Sequence, residues 1–254
     1  LFPYTALFRS DLVRRRSLAR VYTRLDKPEL ARSLFLQADG SDPSDPGRLR
    51  SLIGLDVLVE DLPSAEKRLH ALLAMSHDLD DQELLAALLQ RQQRNVEAAA
   101  IYRQVLATEP ARSASWARLA TCLDAQGDTA AALSALDQGL QAVPASSLLA
   151  DQLGKLCYRN GLYEQSEAAF SRLVDADASD ADSLLFRGLS RLKLRHYAAA
   201  EADFEALGKL RSDSPGQMYA LALGLVLQKK YGPAETALKK TLELNPQAEP
   251  AWEQ

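Results

Sequence analysis

The chain has 254 residues, with 30 lysines and arginines against 34 aspartates and glutamates, a net charge near −4 and an apolar fraction of 47%. That balance offers no general electrostatic argument for nucleic acid, and no apolar run approaches the ~20 residues that a membrane-spanning helix needs. Length alone would allow one or two globular domains, but a periodicity running through the chain points to a different organisation.

In chain order, the first ten residues, LFPYTALFRS, resemble the conceptual translation of a sequencing adapter with one residue changed. Residues 1–11 are therefore read as a non-native segment outside the fold. The stretch that follows is basic, with Arg14, Arg15, Arg16, Arg20 and Arg24. Neighbouring acids and the lack of interleaved aromatics make it a solvated or subunit-facing surface rather than a nucleic-acid site. From there a small residue recurs every 34 residues, at Ala31, Ala65, Ala98, Ala132, Ser166, Ala200 and Ala234, with one step a residue short. A period of this size marks a repeat array in which each unit buries its apolar face only against its neighbours.

Two further columns define the unit. Four residues after each small residue stands a bulky one: Phe35, Leu69, Tyr102, Leu136, Phe170, Phe204 and Leu238. That spacing is one helical turn on the same face. Twelve residues before it stands another small residue, at Ala19, Ala86, Ala120, Gly154, Gly188 and Ala222, with Ile53 as the exception. Small residues on two facing helices let their backbones approach, which predicts an antiparallel helix pair. Gly127 and Gly161 fall where a left-handed helix C-cap is needed between the two helices. Pro43, Pro110, Pro144 and Pro246 close the second helix, because proline disfavours helical geometry in the preceding residue. No run alternates apolar and polar for long enough to predict a strand.

This pattern resembles the tetratricopeptide repeat family, whose unit carries an early aromatic, Leu-Gly or Leu-Ala, a turn, the alanine, a large residue and a closing proline. Trp116, Leu119, Ala120, Gly127, Ala132, Leu136 and Pro144 match it, as do Leu153, Gly154, Gly161, Tyr163 and Phe170 in the next unit. Tyr197, Ala200 and Phe204, then Tyr231, Ala234, Leu238 and Pro246, continue it. The resemblance implies an all-α fold of tandem helix-turn-helix repeats stacked in a right-handed superhelical solenoid. Its units are 12–45, 46–78, 79–112, 113–146, 147–180, 181–214 and 215–248, and residues 249–254 open a further repeat. The match is weakest in 46–78, where Ile53 and Asp56 occupy packing positions.

Catalytic and metal readings fail. Asp175, Asp177, Ser179 and Asp180 look like the start of a calcium loop, but the turn glycine is missing and the twelfth position would be Phe186. They fall instead at a helix start, where carboxylates are favoured. There is no Walker-type Gly-Lys-Ser/Thr, no Gly-x-Ser-x-Gly and no Cys-His arrangement. His70, His77 and His196 lack metal-ligand spacing with either cysteine. Cys122 and Cys157 fall on adjacent first helices, whose axes pack about 8–10 Å apart. A disulfide needs Cα atoms within about 7 Å, so two buried thiols are expected.

Function is then expected on a surface, without catalysis and without a cofactor. The resemblance implies a concave groove, lined by first helices, that receives a partner peptide or helix. The groove positions are Asp151, Lys155, Tyr158 and Arg159, then Leu185, Leu189 and Leu192, then Tyr219, Leu223 and Val226, so its character runs from polar to apolar. Arg187 and Arg191 stand where packing residues belong, which leaves a second reading: a rotated helix with its leucines in the core. A third reading has the trios covering contacts with further repeats. The carboxylate-clamp variant is disfavoured, because its places hold Ala117, Thr121, Gln152, Asp182 and Phe186. The expected function is a non-catalytic protein-interaction scaffold, part of a longer protein. The alternatives are a recognition arm attached to a catalytic or polysaccharide-export domain, and self-association through the end faces.

Overall fold

The structure, a computed structural model, describes residues 17–19, 21–37, 45–210 and 215–244. The readings of residues 1–11 and 249–254 lie outside the described residues. Residues 17–19 and 21–24 are helical. They are followed by α1 (Pro28–Gln37), α2 (Pro46–Leu58), α3 (Leu62–Leu73), α4 (Leu79–Arg91) and α5 (Asn95–Thr108). Next come α6 (Ser113–Ala125), α7 (Thr129–Ala142), α8 (Ser147–Arg159) and α9 (Tyr163–Ala176). The last four are α10 (Ala181–Lys193), α11 (Tyr197–Lys209), α12 (Pro215–Leu227) and α13 (Tyr231–Leu244). The fold is all-α, built of tandem helix-turn-helix repeats packed in sequence.

The helix starts are written locally. Side chains of Asp45, Asp61, Asp78, Asp128, Ser146 and Asp180 accept hydrogen bonds from backbone N–H groups in the first turns of α2, α3, α4, α7, α8 and α10. Each satisfies a donor that the helix itself leaves open. Two acids of the calcium-like run serve the local chain instead: Asp180 caps α10, and Asp177 accepts from the backbone and hydroxyl of Ser179 in the turn before it.

Every helix pair turns through one residue with positive φ. Gly127 and Gly161 hold it at 81° and 74°, and Asp26, Glu60, Gln93, Arg195 and Lys229 hold it between 55° and 63°. Only the glycines announced this conformation in the sequence. At the other five turns the backbone is held left-handed in spite of a Cβ, by hydrogen bonds such as His196 N–H to Arg191 O at 2.8 Å and Arg94 N–H to Leu89 O at 2.9 Å.

The chain forms two compact units, Leu1–Glu109 and Pro110–Gln254. In the first, α1 to α5 each pack on the next. In the second, α6 to α13 do the same, and alternate helices also touch: α6 with α8, α8 with α10, and α10 with α12. The small residues of the 34-residue column are all buried, as are Ala19, Ile53, Ala86, Ala120, Gly154, Gly188 and Ala222 on the facing helices. A Cβ placed on Gly154 would lie 2.6 Å from the Phe170 ring, and one on Gly188 would lie 2.6 Å from the Phe204 ring. The aromatic ring fills the space that glycine leaves. Of the bulky column, Leu238 is the exception at 37% exposed, while the others are buried.

Both cysteines are fully buried thiols. Burial raises the pKa of each, Cys157 to about 11 with a further contribution from the Asp137 carboxylate. The thiolate is the reactive form, so an aromatic disulfide reagent at pH 8 is expected to label native protein at least ~100-fold more slowly than protein in denaturant. Rapid labelling of the native state would show that these helices open readily.

Candidate functional site

The first helices of three successive pairs, α6, α8 and α10, share one face in the second unit. Between them lies an open pocket of ≈ 420 Å³. Thr121 and Asp124 of α6 form one wall, Gln152, Lys155 and Arg159 of α8 the middle, and Phe186 of α10 the other wall, over a floor that includes Leu136 and Leu156. Helical spacing explains the middle set, because residues three, four and seven apart share a face. The cations are held in place: Lys155 Nζ lies 2.8 Å from Asp151 Oδ1, and Arg159 Nη2 lies 3.0 Å from Asp124 Oδ2 on the neighbouring first helix. Lys155 Nζ also sits 5.6 Å from the Phe186 ring centroid, within cation–π range.

An aromatic cluster backs the pocket. Tyr158 meets Tyr163 and Phe186 edge to face, at centroid distances of 5.6 and 5.7 Å, and Phe186 stacks on Phe170 at 5.2 Å. Burial raises the Tyr158 pKa, with Tyr163 and Tyr219 adding to the effect. Four expected groove residues, Asp151, Lys155, Tyr158 and Arg159, therefore lie on or beside this pocket. Thr121, Gln152 and Phe186, whose identities disfavour the carboxylate-clamp variant, also line it, and Thr121 and Asp124 stand one period before Lys155 and Tyr158 on the first-helix face. Their signal was positional, since each stands on the open face of a first helix, Thr121 exposed and Gln152 and Phe186 half-buried.

The apolar trios are placed differently. Leu185 is 8% exposed and belongs to a buried cluster with Val174, Leu184, Ala200, Phe204 and Leu207. Leu189, Leu192 and Leu223 are half-buried and pack against that cluster. Tyr219 is half-buried, and Val226 is exposed. Much of this stripe is thus spent joining α10 to its neighbours.

Arg187 and Arg191 account for the arrangement. They point into the packing between helices, where Asp203 of α11 receives Arg187 Nη2 at 2.6 Å and Arg191 Nη1 at 2.8 Å. Arg191 also donates to Glu167 of α9 at 2.7 Å. Burial opposes the charge on Arg191, but Glu167 and Asp203 more than offset it, so its pKa is raised. Two arginines at apolar positions hinted at this cluster; their acids sit on other helices and were not recognised.

Among the described residues no group of three or more His, Cys, Asp or Glu side chains could hold a metal ion, and no helix is long and apolar enough to cross a membrane. Helical pairs packed in sequence, with an open side-chain pocket spanning three first helices, define a helical-repeat protein. Residues 89–151 and 152–215, together half of the chain, match two sequence models of the tetratricopeptide repeat. The chain belongs to the tetratricopeptide repeat family.

No curated protein matches the chain significantly. Solved structures do. The C-terminal part of a TPR repeat-containing protein from Cytophaga hutchinsonii is 14% identical, with a TM-score of 0.73 over 93% of this chain and 98% of that one. A tetratricopeptide repeat protein from Parabacteroides merdae is 16% identical, with a TM-score of 0.63 over 94% and 95%. YrrB, described as a TPR protein with an unusual peptide-binding site, is 14% identical, with a TM-score of 0.56 over 71% and 93%. At these identities the likeness is one of fold.

Proposed function

We propose that this protein is a non-catalytic scaffold for protein–protein interaction, holding a partner peptide or helix against the face formed by α6, α8, α10 and α12. The observation that carries the reading is the pocket between α6, α8 and α10, where fixed charges on Lys155 and Arg159 surround an apolar floor. Open concave sites with a few oriented polar groups suit a segment with one apolar anchor and adjacent hydrogen-bonding groups. The family's usual role as an interaction module and the peptide-binding site named for YrrB support it. Tyr219 and Val226 extend the surface along α12, whereas Leu185, Leu189, Leu192 and Leu223 serve chiefly to support it.

The test is to select peptides from a displayed library on the intact protein and measure their affinity by calorimetry. Thr121→Arg, which fills the pocket from an exposed position, and Lys155→Glu, which repels Asp151, are each expected to weaken binding by ~10-fold or more at unchanged melting temperature. Peptides that bind both variants as well as the parent would place the interaction surface elsewhere.

A further inference from the structure

The Arg191 cluster has a counterpart with its charges reversed. In the first unit the buried carboxylate of Asp56 on α2 receives Arg32 Nε of α1 at 2.7 Å and also pairs with Arg68 of α3. Arg32 pairs in addition with Asp61, just ahead of α3. In the second unit Arg191 on α10 joins Glu167 of α9 to Asp203 of α11, and Glu167 Oε2 lies 3.4 Å from His196 Nδ1, just ahead of α11. Arg32, Asp56, Asp61 and Arg68 are each followed, 135 residues on, by Glu167, Arg191, His196 and Asp203. Four equivalent positions thus make the same connections, and each has changed sign, His196 when protonated.

Other repeats lack the charged centre of these clusters, although Glu66 and Arg94, which stand where Glu167 and His196 do, pair at 2.7 Å with the polarity of the second junction. The positions equivalent to Asp56 and Arg191 hold Leu89, Leu123, Cys157 and Leu225, and those equivalent to Arg68 and Asp203 hold Ile101, Ala135, Ala169 and Ala237. Ionic clusters are therefore not needed to stack this fold, and apolar replacements of buried ion pairs are commonly neutral or stabilising. What the clusters change is the outcome of a wrong pairing. Helix pairs of one period and similar packing could slip by whole units or exchange between two chains. If α10 packed on α1 instead of α9, Arg191 would meet Arg32. If α2 packed on α9, Asp56 would meet Glu167. Each error places like charges at a partly buried contact, where repulsion is screened less than at the surface.

We infer that the two clusters form a stacking code: opposite polarity at equivalent junctions makes these two junctions reject each other's helices, excluding exchange between them within one chain or between two chains. The partner rejected is a second copy of this chain, or a distant repeat of the same one. Polar groups that fix register at some cost in stability are the best-supported use of buried charge.

The test recodes the second junction in the full chain. Glu167→Arg alone sets two arginines against each other and is expected to lower the melting temperature by roughly 6–20 °C. Combining it with Arg187→Leu, Arg191→Asp, His196→Asp and Asp203→Arg installs the polarity of the first junction and is expected to bring the melting temperature back to within ~5 °C of the parent. With both junctions alike, exchange becomes permitted. Refolding at high concentration should raise the oligomer fraction several-fold over the parent by light scattering, and mixed labelled chains should show energy transfer. A second variant, Glu167→Ala with Arg187→Leu, Arg191→Leu and Asp203→Ala, removes the code without new charges and should raise exchange as well. A recoded chain no more stable than Glu167→Arg, or recoded and apolar chains that refold to the parent's distribution, would overturn the inference.

Discussion

Asp203→Ala is expected to lower the stability of the second unit by about 3–5 kcal/mol, because it strands the Arg187 guanidinium in a packed interior and removes one of the two carboxylates that hold Arg191. Arg187 and Arg191 both lie within 2.8 Å of this one buried carboxylate. Arg191 would keep Glu167 as a partner, and Arg187 would keep none of the contacts described for it. Urea unfolding followed by circular dichroism measures the loss. The cost lies in the uncompensated charges, so adding Arg187→Leu and Arg191→Leu should recover most of it, leucine being the residue at the equivalent positions 119 and 123. A single change costing under ~1 kcal/mol would mean that the arginines reach water unaided.

Phe204→Ala is expected to cost a similar ~3–5 kcal/mol through the cavity it opens. The ring is fully buried between two glycines: a Cβ on Gly188 would lie 2.6 Å from Phe204 Cε1, and one on Gly224 would lie 2.6 Å from Phe204 Cβ. Gly188→Ala should destabilise in its own right, by about 1–3 kcal/mol, since the ring cannot move without displacing its neighbours. If ring and glycine share one space, that cost should shrink in a Phe204→Leu background, and the two changes would be non-additive. Full additivity would show that the contact does not set the helix crossing.

Most of the architecture was legible because it repeats. Small and bulky residues at a fixed step expose the packing face of every helix, and seven copies make each column visible where one would be lost. The all-α class, the helix pairs and the positions of the small residues followed from that alone. Gly127 and Gly161 pointed to left-handed turns, but the equivalent conformations at Asp26, Glu60, Gln93, Arg195 and Lys229 did not announce themselves. Such positions are imposed by the helices on either side.

The site was legible in part, for a physical reason. A helical stripe read from sequence says which residues share a face, and it does not say whether a neighbouring helix covers that face. Lys155 and Arg159 remain at the surface because Phe186 and Asp124 stand back far enough to leave a pocket. The leucine stripe on α10 is partly consumed by α12, with Leu223 packed on the same cluster. The ionic clusters depend still more on assembly: Asp56 and Arg32 lie on consecutive helix pairs, as do Arg191 and Glu167, and no local pattern joins them. Sequence by itself determined the repeat, its helices and their small-residue contacts, because these are local and periodic. Tertiary structure decided which exposed-looking residues are covered and which charges meet, because both depend on how one helix pair seats against the next.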